Sequence, residues 1–314
     1  MNIVFLDAGT VGEDISLAPI ADSGSLTVYQ STAPSEIPSR IRDAEVVVIN
    51  KVKLNRENLA GASRLQLICV AATGYDNVDL TYCRSRGIGL ANVVGYSTES
   101  VVLVTFALAL NLATRLPSYT DFVASGAYTK TNFCNLISPT FYDLAGKTWG
   151  IVGYGHIGAR VAEAARAFGC RVLAYSRTPK DGVENRTLED LLRESDFVSL
   201  HVPLTDETRG LIGAKELGLM KDGAILLNLA RGAVVDEGAV AERVLDGKLL
   251  FGCDVYSQEP PSVTHPYTAL YGHPSVCLTP HMAWGSFEAR ERCIAEIALN
   301  IQAFERGERR NRRD

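Results

Sequence analysis

The residues best suited to chemistry in this chain begin at a glycine loop. Gly153-Tyr154-Gly155-His156-Ile157-Gly158 has the spacing GxGxxG. An apolar, strand-like run (148–152) leads into it, and an alanine-rich stretch (159–168) follows. Gly169 ends that stretch before a second strand-like run at 171–175. In this strand–turn–helix–strand setting the spacing predicts a dinucleotide site. Gly153 permits the tight turn, Gly155 lets the backbone approach a pyrophosphate, and Gly158 lets helix and strand pack closely. The helix start supplies N–H groups and a positive dipole end to the phosphates, with His156 and Ile157 contributing through their backbone. An Asp or Glu that would take a ribose 2′-hydroxyl is expected some 20 residues further on. Here the place holds Ser176, followed by Arg177 and Thr178. A carboxylate would repel a 2′-phosphate, whereas Ser176 and Arg177 would accept one. The cofactor is therefore NAD or NADP, with NADP favoured.

Arg231 is the second candidate. It closes an apolar run, LLNLA, at the end of a predicted strand. Its planar fork matches a carboxylate or a polarised carbonyl. The competing reading is a surface ion pair with Asp236 or Glu237. The five histidines are His156, His201, His265, His273 and His281, and no motif surrounds His265 or His273. There is no HxxxH, no carboxylate cluster at ligand spacing and no cysteine pair, so no metal is expected.

These residues must be held by sheets. Short β-branched runs alternate with helical patterns along the chain, which predicts parallel sheets built from βαβ units. Five strands precede about residue 93, a long apolar helix spans 98–116, and 117–144 lacks strong periodicity. Six strands then make a second sheet between 149 and 279. The last helix, from about 286 to 304, has one apolar face and is expected to return to the first sheet. The fold class is α/β, with two doubly wound parallel-sheet domains. A Rossmann cofactor domain (99–285) is inserted into a flavodoxin-like substrate domain formed by 1–98 and 286–314.

Composition narrows the classes further. A net charge of −5 gives no basic field for nucleic acid. The only basic cluster, Arg309, Arg310, Arg312 and Arg313, reads as a solvated terminus. Seven cysteines, none in a CxxC, read as small buried hydrophobes in a reducing compartment. With no signal-like N-terminus and no membrane-length apolar stretch, the expected location is the cytoplasm.

The chain resembles the D-isomer-specific 2-hydroxyacid dehydrogenases over essentially its whole length. The first half carries Asn50-Lys51-Val52, the string 68–79 (ICVAATGYDNVD), Arg86-Gly87-Ile88 and Gly95-Tyr96-Ser97-Thr98. The second half carries the glycine loop, His201-Val202-Pro203-Leu204, Asn228-Leu229-Ala230-Arg231-Gly232, Asp254-Val255 with Glu259-Pro260, and Thr279-Pro280-His281-Met282-Ala283-Trp284. Asn50-Lys51, the CVAATGYDNVD string and His281-x-x-Trp284 look most like the glycerate dehydrogenase (hydroxypyruvate reductase) branch. A departure is Val104, where that branch often has a histidine.

The resemblance implies reduction of a small 2-keto acid to its D-2-hydroxy acid, hydroxypyruvate and glyoxylate being favoured. It implies His281 as acid/base, Glu259 orienting it and keeping it protonated, and Arg231 holding substrate. His201, Val202, Pro203, Thr208, Leu229 and Ala230 would line the cofactor, and Asp254 would face the nicotinamide carboxamide, a loop cap being its other reading. Thr73 and Gly74, in a strand-to-helix turn, would bind the substrate carboxylate through their N–H groups, Lys51 would add charge there or be a surface lysine, and Trp284 would wall the pocket or pack under the last helix. A homodimer is implied through the long helix and the aromatic segment after it. No nucleic-acid or membrane partner is expected. The rival readings are a non-catalytic NAD(H)-sensing protein on the same scaffold, similar to corepressors, and a short-form phosphoglycerate dehydrogenase.

Overall fold

The computed structural model describes residues 1–314, which divide into two compact units. The first comprises Met1–Ser97 and Trp284–Asp314, the second Thr98–Ala283. The division falls slightly off the expected 98/99 and 285/286. Trp284 packs edge-on against Tyr96 and joins the first unit's core, which draws that residue across the boundary. Ser100 Oγ donates to Ala283 O at 2.6 Å, tying together the two ends of the second unit.

The first unit holds β1 (Asn2–Phe5), β2 (Ser25–Val28), β3 (Val46–Ile49), β4 (Leu67–Val70) and β5 (Gly89–Ala91). All pair in parallel, in the order β2-β1-β3-β4-β5. This is the flavodoxin-like order. β3 and β4 are buried at every position, as VVVI and LICV require of strands covered on both faces. The last helix, Phe287–Glu305, buries Cys293, Ile294, Ile297 and Ile301 in this unit's core, and Ser286 caps it.

The arginine tail is solvated only in part: Arg309 is exposed, whereas Arg310, Arg312 and Arg313 are half-buried. Arg312 forms an antiparallel bridge with Ala91, and Arg313 N donates to Leu90 O at 2.8 Å. Leu90 N donates in turn to Asp314 Oδ1 at 2.9 Å. The tail therefore covers the outer edge of β5 with its backbone and the Asp314 carboxylate, satisfying groups an edge strand would leave open.

The second unit contains β6 (Thr148–Val152), β7 (Arg171–Tyr175), β8 (Glu184–Asn185), β9 (Phe197–Leu200), β10 (Ala224–Asn228), β11 (Leu249–Cys253) and β12 (Val276–Leu278). Their order is β12-β11-β10-β9-β6-β7-β8, again all parallel. Seven strands stand where six were expected. The extra one, β8, is two exposed residues long and has no apolar run to announce it. The long helix covers one face of this sheet. Phe106 stacks on the buried Trp149 with centroids 4.8 Å apart. A Cβ at Gly252 would lie 3.2 Å from Leu108 Cβ, so the glycine lets the helix come close.

That helix runs Thr98–Thr114 and does not reach residue 116. Arg115 takes a left-handed backbone (φ 55°), and a second helix, Leu116–Ala124, leaves at 68°. Pro117 has no N–H to donate to Ala113 O and its ring would clash with that carbonyl, so the first helix cannot run through it, whereas the first turn of a new helix tolerates it. No single helix is long and apolar enough to cross a membrane. Five of the seven cysteines are buried; Cys277 is half-buried and Cys134 exposed, contrary to the reading of them all as core residues. Burial pushes the Cys69 thiol up to about 12.

Candidate active site

The second unit gathers its candidate residues at the carboxyl ends of five parallel strands. The glycine loop follows β6, His201 follows β9, Leu229–Arg231 follow β10, Asp254 follows β11, and His281 lies just past β12. β6 and β9 are neighbours whose connections leave in opposite directions, which is where open α/β sheets bind ligands.

The glycines of the loop differ in function. Gly153 has φ +99°, and a Cβ there would lie 2.6 Å from His201 O. A Cβ at Gly158 would run into Gly153 O. Gly155 caps the helix His156–Ala167, and no atom lies within 4 Å of where its Cβ would be. The turn, the close helix and an open face at the helix start together fit a dinucleotide pyrophosphate. Ser176 directly follows β7, and its Oγ donates to Thr178 O at 2.7 Å. Arg177 is exposed beside it, and no carboxylate occupies this position. Thr208 Oγ1 accepts from Thr205 N at 2.8 Å and donates to Pro203 O at 2.6 Å, closing the turn after His201 and Val202. The His201 ring keeps some exposure, but its Nε2 is buried without a protein partner. Burial lowers the imidazole to about 4.

His281 and Glu259 form an ion-pair geometry. Nδ1 of His281 lies 2.6 Å from Glu259 Oε2, and Glu259 Oε1 accepts from Tyr256 N at 3.1 Å. An ionised carboxylate only accepts, so the ring hydrogen on that side belongs to Nδ1. His281 has φ +54°, a conformation rare outside glycine. The turn is held by Asp254, which is almost wholly buried. Asp254 accepts from Thr279 Oγ1 (2.6 Å), Met282 N (2.8 Å) and Ala283 N (2.9 Å). The loop-cap reading of Asp254 is thus the one visible in its bonds.

Arg231 sits in the turn after β10. Asn228 Nδ2 donates to Arg231 O at 3.0 Å, and Asn228 Oδ1 accepts from Ala230 N at 3.1 Å. The guanidinium donates to Ala230 O at 2.8 Å. The two acids considered as its partners are engaged elsewhere. Asp236 caps the helix Glu237–Leu245, and Glu237 bonds Ser257.

In the first unit, Lys51 follows β3 and Thr73-Gly74 follow β4. Asp7, which the sequence reading passed over, organises this end. Its carboxylate accepts from Asn50 N (2.8 Å), Lys51 N (2.6 Å) and Val52 N (2.9 Å). Burial raises the Asp7 carboxyl above the usual range despite those donors. Its only signal in the sequence is an acid directly after the run NIVFL. Thr73 and Gly74 lie in a loop, not at a helix start. The following helix, Leu80–Ser85, is capped by Asp79, so no helix dipole strengthens the N–H groups of Thr73 and Gly74. Of the two readings of Trp284, the packing one is visible here: its ring meets Tyr96 edge-on and packs against the first unit's core.

A doubly wound dinucleotide unit with an Arg, a Glu–His pair and a glycine loop on one strand edge defines a pyridine-nucleotide oxidoreductase. The family model described as "D-isomer specific 2-hydroxyacid dehydrogenase, NAD binding domain" matches residues 106–283. The chain is 38% identical over 313 residues to a glycerate dehydrogenase of Methylorubrum extorquens, covering 99% of this chain and 98% of that one. A glyoxylate reductase of Thermococcus litoralis is 40% identical over 274 residues, 85% of this chain and 81% of the relative. The crystal structure of an Aquifex aeolicus D-lactate dehydrogenase, complexed with NAD and lactic acid, superposes with a TM-score of 0.86. It is 33% identical, with 98% and 96% of the two chains covered. This chain belongs to the D-isomer-specific 2-hydroxyacid dehydrogenases, NAD(P)-dependent enzymes that reduce 2-keto acids to D-2-hydroxy acids.

Proposed function

We propose that this enzyme acts on the smallest 2-keto acids, hydroxypyruvate and glyoxylate, with NADPH preferred over NADH. The observation that carries the catalytic assignment is the His281–Glu259 contact of 2.6 Å. It stands on the same strand edge as Arg231 and the glycine loop. The reaction needs a held carboxylate, a stabilised developing alkoxide and a proton for it. A bound nicotinamide cofactor supplies the hydride. Arg231 binds the substrate through its fork and stabilises negative charge on the carbonyl oxygen. His281 delivers the proton from Nε2, and Glu259 holds the ring in that orientation. Lys51, Thr73 and Gly74 are proposed as further anchors for the substrate carboxylate. The substrate choice is supported by the names of the relatives and by the motifs shared with the glycerate dehydrogenase branch.

The enzyme is further proposed to be a homodimer. The segment after the long helix exposes Phe133 (77%), Ile137 (80%) and Tyr142 (69%), and the helix Leu116–Ala124 buries nothing. Exposed large apolar side chains gathered in one stretch of chain fit a partner of the same chain. A monomeric mass in light scattering at micromolar concentration would overturn the dimer. Turnover of hydroxypyruvate, glyoxylate, pyruvate and bulkier 2-keto acids, each with NADH and NADPH, tests the substrate and cofactor. His281→Ala should lower kcat about 10²–10⁴-fold while NAD(P)H still binds. An active His281→Ala enzyme would sink the assignment.

A further inference from the structure

We propose that Glu237, backed by His265, is a positioning residue for the Glu259–His281 pair. The inference rests on the reading of that pair as the proton-delivering group. Glu259 lies on an exposed loop, Ser257 to Pro260, which by itself would be free to move. What fixes the loop is Glu237, the first residue of the helix Glu237–Leu245. Its side chain is only 9% exposed. Glu237 Oε1 accepts from Ser257 N at 2.8 Å, and Oε2 accepts from the Ser257 hydroxyl. Ser257 held in this way fixes the preceding residue, Tyr256, whose own N–H, one peptide back, donates to Glu259 Oε1. Glu259 then has one oxygen on Tyr256 N and the other on His281 Nδ1. A shift of that peptide would remove the first bond and swing the second out of line.

His265 stands behind Glu237. Its side chain is 4% exposed, and Nε2 is 2.9 Å from Glu237 Oε2, an electrostatic contact out of line for a full hydrogen bond. Its Nδ1 accepts from Tyr267 N at 3.2 Å, which places the ring hydrogen on Nε2, toward the carboxylate. The ring also meets Tyr256 edge-on, with centroids 5.8 Å apart. For stability alone a well-packed apolar pair would serve as well. What the polar pair adds is direction, as partners behind an active group commonly do.

The test is a double-mutant cycle, run with the keto acid and cofactor on which the parent is most active. Glu237→Ala should lower kcat about 10–100-fold, the cost of a reacting group displaced by about an ångström, with KM within about 2-fold of the parent. Glu237→Gln, whose amide can still accept from Ser257 N, should recover most of the rate. In a Glu259→Gln background, Glu237→Ala should have almost no further effect, because the two act through one bond. If the losses multiply, or if Glu237→Ala lowers only the melting temperature, the proposal is overturned. Should Glu237→Ala fail to fold, Ser257→Ala removes one of the two bonds and carries the same cycle at smaller amplitude. Glu259→Gln alone reports separately on the pair. Full activity there would remove the underlying reading, whatever Glu237→Ala does.

Discussion

Gly232 faces the peptide joining Tyr256 to Ser257 so closely that a Cβ on it would overlap the carbonyl carbon of Tyr256. The turn that presents Arg231 and the loop that presents Glu259 are therefore packed backbone to backbone. A side chain at 232 must push them apart, and neither atom it meets is the flexible end of a side chain. Gly232→Ala should cost about 3 kcal/mol of stability, in the upper range for overpacking, and about 10² or more in kcat. Chemical denaturation and steady-state kinetics check both. A folded variant with parental kcat would mean that the two loops are independent.

Arg231 is expected to serve both binding and charge stabilisation. Arg231→Ala should then raise KM for the keto acid and lower kcat together. Arg231→Lys should restore part of the charge effect but not the two-pronged fit. The check is kcat and KM measured separately for both variants. A change confined to KM would restrict the residue to substrate binding.

Cofactor choice should respond to one residue. Ser176 follows β7 directly, where a carboxylate would face a ribose 2′-phosphate. Ser176→Asp should weaken use of NADPH far more than use of NADH, about 10-fold or more in the ratio of kcat/KM, from repulsion of a close dianion. An unmoved ratio would mean that this side chain does not meet the 2′ position.

Much of this was legible in the sequence, because apolar runs and glycine spacing are local signals. VVVI and LICV could only be buried strands, and the spacing of Gly153, Gly155 and Gly158 needs no distant partner to be read. What escaped depends on contacts between separated residues or on backbone. The pairing of Arg312 and Arg313 with β5 uses main-chain groups, so four arginines looked like a solvated run. The break at Arg115 is a backbone turn inside a continuing apolar pattern. His265 has no motif because its partner, Glu237, belongs to a different element. Asp254 showed only its position after a strand, and the three donors it holds come from the next loop.

His201 gives the last prediction, which concerns stability against pH. Its Nε2 is buried without a protein partner, and burial lowers the imidazole from 6.5 to about 4. The native state therefore refuses a proton that the unfolded chain accepts. Well above pH 6.5 neither state is protonated and titration of the group adds no pH dependence. As pH falls from there toward 4, the unfolded state binds more protons than the native one, so stability declines. The total is no more than about 3 kcal/mol, at 1.36 kcal/mol per pH unit, and the decline stops below pH 4. His201→Gln keeps an amide of similar reach but cannot titrate. The difference in stability between parent and variant should thus shift toward the variant between pH 7 and pH 4.5. Other titrating groups, Asp7 included, cancel in that difference. Urea unfolding followed by Trp149 fluorescence in a Trp284→Phe background reports on the unit that holds His201. A parent–variant difference that is the same at both pH values would show that His201 is not buried neutral.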